Sequence, residues 1–369
     1  MSIDILPTET LVQILDDASL EIGDLAVISR VSRRWHAAVI PALYGRFTFR
    51  YSSSPKPKDL EKLESFKKYS HHVKHLGLHI KDWGDSDDDS SESDRLLAIY
   101  LRVLGHFREV THVEHYDTTV SSLTWPVFWT IVNYLVSEKR KLISLTIRRN
   151  PGGFINPSMD RDVNPETLLP TPCLPNLTSL DIQVNNKRSN HDSVEPFPSF
   201  FNNLVLALGE SCRNVSKLQI YLKWQEPMSP EKRKELQEVE LPRLPVGNIK
   251  RLRYVMWPDR VPPSHLLDTE FEDTKTLTAP SWVCGDWLNS AWEELPSGQS
   301  LNYFQNLETL RITDSLQMAK GNSLEQSLSN VTKHLPKLES LILDEYGKQF
   351  SISRKPDGSP IWEEIRFVV

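Results

Sequence analysis

The sequence predicts an α/β fold in which a short helical unit precedes a long series of parallel strands joined by helices. Apolar residues recur at helical spacing within the first 50 residues, and a strand-like apolar pattern recurs eight times from residue 73 onward. Helix-like segments lie between the strand-like copies. Spacing of this size suits parallel strands, because these need long crossover connections.

The composition is that of a globular, mildly acidic chain. Its 369 residues are enough for one large domain or two to three ordinary ones, and 39% of them are hydrophobic. The net charge of −6 provides no general attraction to nucleic acid or anionic lipid, so neither is predicted as a partner. The 25 prolines and only 14 glycines argue against a glycine-rich phosphate-binding enzyme.

Cysteine usage and the apolar runs indicate an intracellular protein. Cys173, Cys212 and Cys284 are far apart and form no CxxC pair, which excludes a zinc ribbon or a thioredoxin-type motif. A sparse, odd number of cysteines fits a reducing compartment. The N-terminus lacks the features of a signal peptide, and no stretch reaches the roughly 18 apolar residues of a membrane span. We expect a cytoplasmic and/or nuclear location.

The first helix is predicted to begin at Pro7, whose missing N–H would be unpaired at a helix start anyway. Glu9 follows in the first turn, where the helix dipole favours an acid. Leu11, Ile14 and Leu15 are spaced i, i+3 and i+4, so they form one apolar stripe.

A second helix is predicted from Asp24, a good N-cap, through Val39, with Pro41 ending it. Residues 42–47 are predicted to form a short final turn or helix. A helix that is apolar on two faces needs two partners to pack against. The two faces are marked by Leu25, Ile28 and Trp35 and by Val27 and Val31.

The runs LPTETLVQIL, DLAVISRVSRRW and PALYGRF together resemble an F-box. The stretch over 16–23 is more acidic and less apolar than the family pattern. The resemblance implies a three-helix F-box over residues 1–50 that binds the Skp-type linker subunit of an SCF-type ubiquitin ligase. The alternative is a helical hairpin that only caps a larger domain. The sequence leaves open which of the implied residues contact the partner and which hold the helices together: Leu6, Pro7, Leu11, Ile14, Leu15, Leu25, Val31 and Trp35.

A linker and connecting helix over 51–72 precede a predicted repeat domain over 73–369. The pattern apolar-x-x-apolar-x-apolar recurs there at intervals of 31 to 58 residues. The last two apolar positions of each copy are two residues apart, so they point to one face, which we expect to pack on the helices. Clear copies begin at Val73, Leu142, Leu177, Val215, Leu307 and Leu338, and weaker ones at Val110 and Ile249.

These copies resemble the irregular leucine-rich repeats that follow the F-box in many fungal F-box proteins. The resemblance implies a solenoid of parallel strands and helices. The alternative is an ordinary α/β domain with scattered buried strands. The helix-like segments between copies cover residues 96–107, 127–140, 197–208, 231–239 and 323–335.

Two segments interrupt the predicted repeats. The 58-residue interval holds a Trp-rich insertion over 257–300, in which Trp282, Trp287 and Trp292 are five residues apart. These aromatic residues either anchor a long loop or form a recognition surface, where tryptophan is enriched. The acidic serine tract in a loop over 82–94 is either a solvated loop, a phosphorylation cluster or a docking site for a basic partner.

Histidines cluster at the first repeat, at His71, His72, His75 and His79. His75 and His112 occupy equivalent places in adjacent copies, so they are predicted to lie side by side. This suggests a metal site or a pH switch. No third ligand occurs at a recognisable spacing, so no metal and no cofactor is predicted.

The sequence contains no P-loop, GxGxxG, HExxH, GxSxG or kinase motif, so catalysis by this chain is not predicted. Polar residues of the stacked strands that face away from the helices would form a ladder. This ladder is either a target-binding face or an ordinary hydrated sheet surface. Its members are Tyr116, Arg148, Gln183, Tyr221, Arg253, Arg311 and Asp344.

The predicted function is that of a substrate-recognition adaptor. The F-box would bind the linker subunit of a cullin ligase, and the repeats would bind a target protein. Holding the target near a ubiquitin-charged partner raises its effective concentration. One alternative is an F-box scaffold or regulatory protein that does not drive ubiquitination. Another is an enzyme with a cryptic site in the α/β body.

Overall fold

The structure is a computed structural model whose chain divides into two compact units, Met1–Pro172 and Cys173–Val369. The predicted acidic loop, the three tryptophans of the predicted insertion and the helix-like segment over 231–239 lie outside the described residues. No helix within the described ranges is long and apolar enough to cross a membrane. The described residues are 6–17, 20–51, 61, 64–80, 98, 101–117, 131–134, 136, 141–149, 174–185, 205, 208–223, 243–257, 266–269, 271–279, 304–313, 331–332, 335–344 and 347–365.

The first unit begins with three helices: α1 (Thr8–Asp17), α2 (Ile22–Ile28) and α3 (Arg33–Tyr44). The first helix is confirmed, since α1 starts directly after Pro7. The single second helix that the sequence predicted is wrong, because the chain breaks between α2 and α3.

The break has a local cause at Ser32. This residue is extended, with φ −159° and ψ 165°, and its hydroxyl accepts a hydrogen bond from the Trp35 N–H at 3.2 Å. An N-cap of this kind starts a new helix. The N-cap of α2 is Glu21 rather than the predicted Asp24. The Asp24 Oδ2 instead accepts from the Glu21 N–H at 3.1 Å, so this carboxylate supports the helix start from inside the first turn.

The predicted helix end at Pro41 is also wrong, because α3 continues through Pro41 to Tyr44. Pro41 has no N–H to donate to the preceding turn. The adjacent Ala38, Val39 and Ile40 are buried, and tertiary packing of this kind routinely overrides helix propensity. The carbonyl of Gly45 then accepts from the N–H groups of Lys74 and His75, at 2.8 and 3.0 Å, which ties the helix end to the sheet.

The described residues of the first unit include four strands: β1 (Arg46–Tyr51), β2 (His75–Ile80), β3 (His112–Asp117) and β4 (Ser144–Arg149). Each strand is parallel to the next, in chain order. Strand β1 was not predicted. Its inward residue Phe47 packs against Phe66 and Phe107, with ring centroids 4.5 and 5.1 Å apart.

The strands of the second unit also pair with one another in chain order. Strands β5 to β10 are each parallel to the next, and the last two strands are antiparallel to their neighbours. The strands are β5 (Ser179–Asn185), β6 (Lys217–Lys223), β7 (Arg251–Trp257), β8 (Thr276–Ala279), β9 (Thr309–Ile312), β10 (Ser340–Leu343), β11 (Lys348–Arg354) and β12 (Pro360–Ile365).

All eight predicted copies of the apolar pattern form strands. In the copy at Leu177, that residue is buried just before the strand, and Leu180 and Ile182 are buried within it. The residue after the first apolar position accepts two N–H groups from the next copy. For example, the Thr178 carbonyl accepts from Ser216 and Lys217, each at 3.0 Å. Because this pair of hydrogen bonds recurs between successive copies, equivalent residues of neighbouring strands lie opposite each other.

A ninth copy, β8, lies inside the predicted insertion. The prediction that the 58-residue interval holds no copy of the pattern is therefore wrong. Its three inward positions are Thr274, Leu277 and Ala279, all with no exposed surface. The Thr274 hydroxyl donates to the Ile249 carbonyl at 2.8 Å. A threonine can therefore occupy an apolar position because the neighbouring copy satisfies its hydroxyl.

The C-terminal hairpin departs from the repeat. Gly347 and Gly358 have φ of 56° and 82°, the region that favours glycine, and each lies in a turn that reverses the chain. Phe350 and Ile352 of β11 are buried, whereas Ile361 and Ile365 of β12 are exposed. Between the strands, residues 101–104, 131–134 and 331–332 are helical, which agrees with the predicted helix-like segments in the parts described.

Candidate interaction surfaces

The three helices share a small apolar core. Leu11, Leu15 and Leu25, three members of the predicted linker-binding set, are at most 7% exposed. They pack with Ala38 and Val39 of α3. Their position shows that they hold the helices together. Two further members of the set, Leu6 and Trp35, are half-buried and pack against the same core.

Other apolar side chains of this helical unit point into solvent. Ile14 on α1, Val27 on α2 and Val31 in the turn after α2 are 46%, 66% and 67% exposed. Pro7, from the predicted set, is exposed too. We refer to Ile14, Val27 and Val31 as the apolar surface of the helical unit.

The turn that carries Val31 has a defined conformation. The N–H of Arg30 donates to the Val27 carbonyl and that of Val31 to the Ile28 carbonyl, at 3.0 and 3.1 Å. The Ser29 hydroxyl donates to the Ala26 carbonyl at 2.8 Å. The i→i−3 backbone bonds are those of a 3₁₀ turn, so Val31 is held in an ordered turn directly after α2.

The outward face of the first sheet is polar. Successive rows across β1 to β4 hold Arg46, His75, His112 and Ser144, then Thr48, Gly77, Glu114 and Thr146, then Arg50, His79, Tyr116 and Arg148. The predicted Tyr116 and Arg148 are therefore direct neighbours. The Arg148 Nη1 lies 3.1 Å from the Glu114 Oε1, an ion pair between adjacent strands.

A cavity of about 200 Å³, here called the cleft, opens on this face. Only Arg148 of its lining belongs to the predicted target-binding set. Side chains alternate along each strand, so the sequence pattern places the other polar lining residues on the outward face. Only the register between strands shows that these residues lie next to one another. The cleft is lined by Arg46, Thr48, His75, Leu76, Gly77, His112, Val113, Glu114, Ser144, Thr146 and Arg148.

The side-by-side placement of His75 and His112 is confirmed. Their rings stack with centroids 4.2 Å apart and planes at 24°. Partial burial lowers the pKa of both, and the charges of His112 and Arg46 lower the pKa of His75 further. The Thr111 hydroxyl lies 2.8 Å from the His112 Nδ1. Within the ranges that the structure describes, no three potential ligands come together as a metal site.

In the second unit, the predicted ladder residues fall on two rows. Gln183 lies opposite Tyr221, but Tyr221 lies opposite Val255 rather than Arg253. Arg253 belongs to the neighbouring row, which the sequence did not single out: Asp181, Gln219, Arg253, Thr278, Arg311 and Ile342.

Arg311 and Asp344 form a pair at the end of that row. The Arg311 Nε lies 2.9 Å from both carboxylate oxygens of Asp344. Arg311 is half exposed, so solvent screens much of this attraction. In the second unit, the predicted residues therefore occupy two neighbouring rows rather than one.

Comparison with known proteins gives a match for the N-terminal region. Residues 3–50 match the family model described as F-box-like. The matched range contains all three helices and most of β1. The match supports an F-box protein with a role in protein–protein interaction. No curated protein matches the chain.

Proposed function

We propose that this protein is a substrate-recognition adaptor of an SCF-type ubiquitin ligase. The helical unit binds a Skp-type linker subunit and through it a cullin, and the strand repeats bind a target protein. The observation that carries the proposal is the F-box-like match over residues 3–50, on a unit whose Ile14, Val27 and Val31 stay exposed outside its core. F-box domains generally bind Skp-type subunits.

The energetics favour binding through these side chains. Complete burial of a valine or isoleucine contributes about 1.5–3 kcal/mol. Ile14, Val27 and Val31 each retain about half or more of their surface for a partner to cover. The helices pack through Leu11, Leu15 and Leu25 instead, so folding of the unit does not use the exposed set.

The target-binding role belongs to the strand-bearing part of the chain. Its copies support a solenoid of irregular leucine-rich repeats of the fungal F-box type, because strands follow one another in chain order within each unit. Outward arginine, tyrosine and glutamine side chains suit recognition of a protein surface. The adaptor itself breaks and forms no bonds. It works in the cytoplasm and/or nucleus, which its sparse cysteines also favour.

Co-purification with a Skp-type linker subunit tests the proposal. The double variant Val27→Glu/Val31→Lys removes two exposed apolar side chains, and its two new charges are opposite, so the net charge does not change. Its matched control is Ile361→Glu/Ile365→Lys on β12, which introduces the same two charges at two exposed isoleucines. We expect wild type and control to retain the linker and the first variant to lose it.

Thermal melting of all three proteins must remain alike for the comparison to hold. A wild type that is folded but retains no linker would contradict the proposal. A complex that contains the linker but never a cullin would instead favour a scaffold role without ubiquitination.

A further inference from the structure

The cleft on the first sheet combines positive charge with hydrogen-bond donors. Arg46 and Arg148 contribute two positive charges and Glu114 one negative charge, so the lining carries +1 when both histidines are neutral and +3 when both are protonated. Three residues that carry hydroxyl groups, Thr48, Ser144 and Thr146, line the same space. Guanidinium and hydroxyl donors are the groups that hold oxyanions in proteins.

The size of the cleft limits its ligand. Its volume of about 200 Å³ is below the roughly 300–1,000 Å³ of pockets that enclose a drug-sized molecule. A single side chain or a small anion fits better than a nucleotide. The lining contains Leu76 and Val113 but is otherwise mainly polar, so the ligand is held by directed hydrogen bonds rather than by apolar burial.

Gly77 keeps the cleft open. It lies in the middle of β2, opposite Thr48 on one side and Glu114 on the other. A Cβ at this position would lie 3.2 Å from the Thr48 Oγ1, closer than ordinary contact. Any larger side chain would occupy space that the ligand needs.

We propose that the cleft binds one oxyanion group, a carboxylate or a phosphoryl group, presented by a side chain of a target protein. Recognition of a target rests on the adaptor function proposed above, whereas anion binding does not. Loss of linker binding would therefore leave the anion measurement unaffected.

Binding is coupled to the histidine pair. Partial burial keeps the pKa of His75 and His112 below the ordinary value of 6.5, and Arg46 opposes protonation of His75. Glu114 and Arg148 face the same space, and Lys74 pairs with Glu109 just before the strands. An anion in the cleft favours the protonated rings, so its affinity rises as pH falls below 6.5.

The test uses the full chain with ¹³C-labelled histidine and follows ring NMR signals during titration with acetate and, separately, with sulfate. Acetate stands for a carboxylate, and sulfate for a tetrahedral phosphoryl-like group whose charge stays constant near neutral pH. We expect saturable shifts at His75 and His112, with tighter binding at pH 6 than at pH 7.5 because the bound anion favours the protonated rings. The exposed His36 should not respond in this way.

Arg46→Ala and Arg50→Ala form a matched pair of variants. Both arginines are exposed on β1 and point the same way, but only Arg46 lines the cleft. We expect Arg46→Ala to weaken anion binding about tenfold or more, because a charged hydrogen bond is lost. Arg50→Ala should change it less than about twofold, since exposed charges are largely screened. Gly77→Val fills the space without changing any charge, and should abolish saturable binding.

The ligand class follows from which anion saturates: acetate alone indicates a carboxylate, sulfate alone a phosphoryl group, and both a general oxyanion site. The proposal fails if folded wild type gives no saturable shift with either anion. It also fails if Arg46→Ala and Arg50→Ala weaken binding equally, or if folded Gly77→Val binds as well as wild type.

Discussion

The helical unit and the strand repeats expose opposite kinds of surface. The helices bury Leu11, Leu15 and Leu25 but leave Val27 and Val31 in solvent. The outward face of the first sheet instead carries arginine, histidine and hydroxyl groups around the cleft. Apolar burial is non-directional and suits a partner shared by many proteins, whereas charges and hydrogen bonds discriminate between partners. In the adaptor proposed above, the first surface would attach the protein and the second would select its target.

The largest expected effect separates core from surface within the helical unit. Leu11 is 1% exposed, so Leu11→Asp places a charge in the core and should destabilise the unit by about 3 kcal/mol or more. Val27→Glu, at an exposed position of a neighbouring helix, should cost less than about 0.5 kcal/mol. Chemical denaturation followed by circular dichroism measures both. Equal costs would contradict the division into core and apolar surface.

A smaller effect is expected in the second unit, where Thr274 replaces an apolar residue of the repeat. Thr274→Val should cost about 1 kcal/mol, because the buried Ile249 carbonyl loses the hydroxyl that donates to it at 2.8 Å. Thr274→Ser keeps the donor and removes one methyl group, which makes it the matched control. If Thr274→Val were more stable than wild type, packing alone would govern that position.

The histidine pair makes stability depend on pH. The folded pKa of His75 and His112 is lowered, so the unfolded chain binds more protons once pH falls below 6.5. Stability should therefore decrease as pH drops through that value, and the loss should level off below the folded pKa. His75→Gln/His112→Gln should reduce the loss, as measured by urea unfolding at several pH values. An identical pH dependence in the double variant would show that other groups cause it.

The smallest expected effect concerns the exposed pair of Arg311 and Asp344. Arg311→Gln should change stability by less than about 1 kcal/mol, because solvent screens an exposed ion pair. Urea unfolding at low and high salt measures this. If Arg311→Gln lowered the free energy of unfolding by more than about 1 kcal/mol at both salt concentrations, Arg311 would contribute more than its ion pair with Asp344.

Much of the sheet could be predicted because eight of its described strands repeat one short apolar pattern. Four strands were missed: β1, β8 and the two strands of the C-terminal hairpin, β11 and β12. The hairpin departs from the pattern, whereas β1 and β8 carry it in altered form. Tyr44, Phe47 and Phe49 fit the pattern, but Tyr44 also ends α3, so the copy overlaps the helical unit. The β8 copy starts with Thr274, whose hydroxyl is satisfied only by a residue 25 positions away. Sequence spacing shows neither the overlap with α3 nor the partner of the Thr274 hydroxyl.

The surfaces were harder to predict than the strands. Leu11 and Ile14 belong to the same apolar stripe, yet one is 1% and the other 46% exposed. That outcome depends on how α3 packs, which spacing within α1 does not show. The break at Ser32 was missed because the apolar pattern continues across it. The cleft was missed because it depends on the register between residues as distant as Arg46 and Arg148.

The affinity of the purified protein for a purified Skp-type linker subunit is the most direct test of the division between attachment and selection. We expect Val27→Glu/Val31→Lys to weaken that affinity at least about tenfold, because two buried apolar contacts are lost. Ile361→Glu/Ile365→Lys and Arg46→Ala should leave it unchanged. Equal affinity of all four folded proteins, or no binding by wild type, would contradict the role assigned to the helical unit.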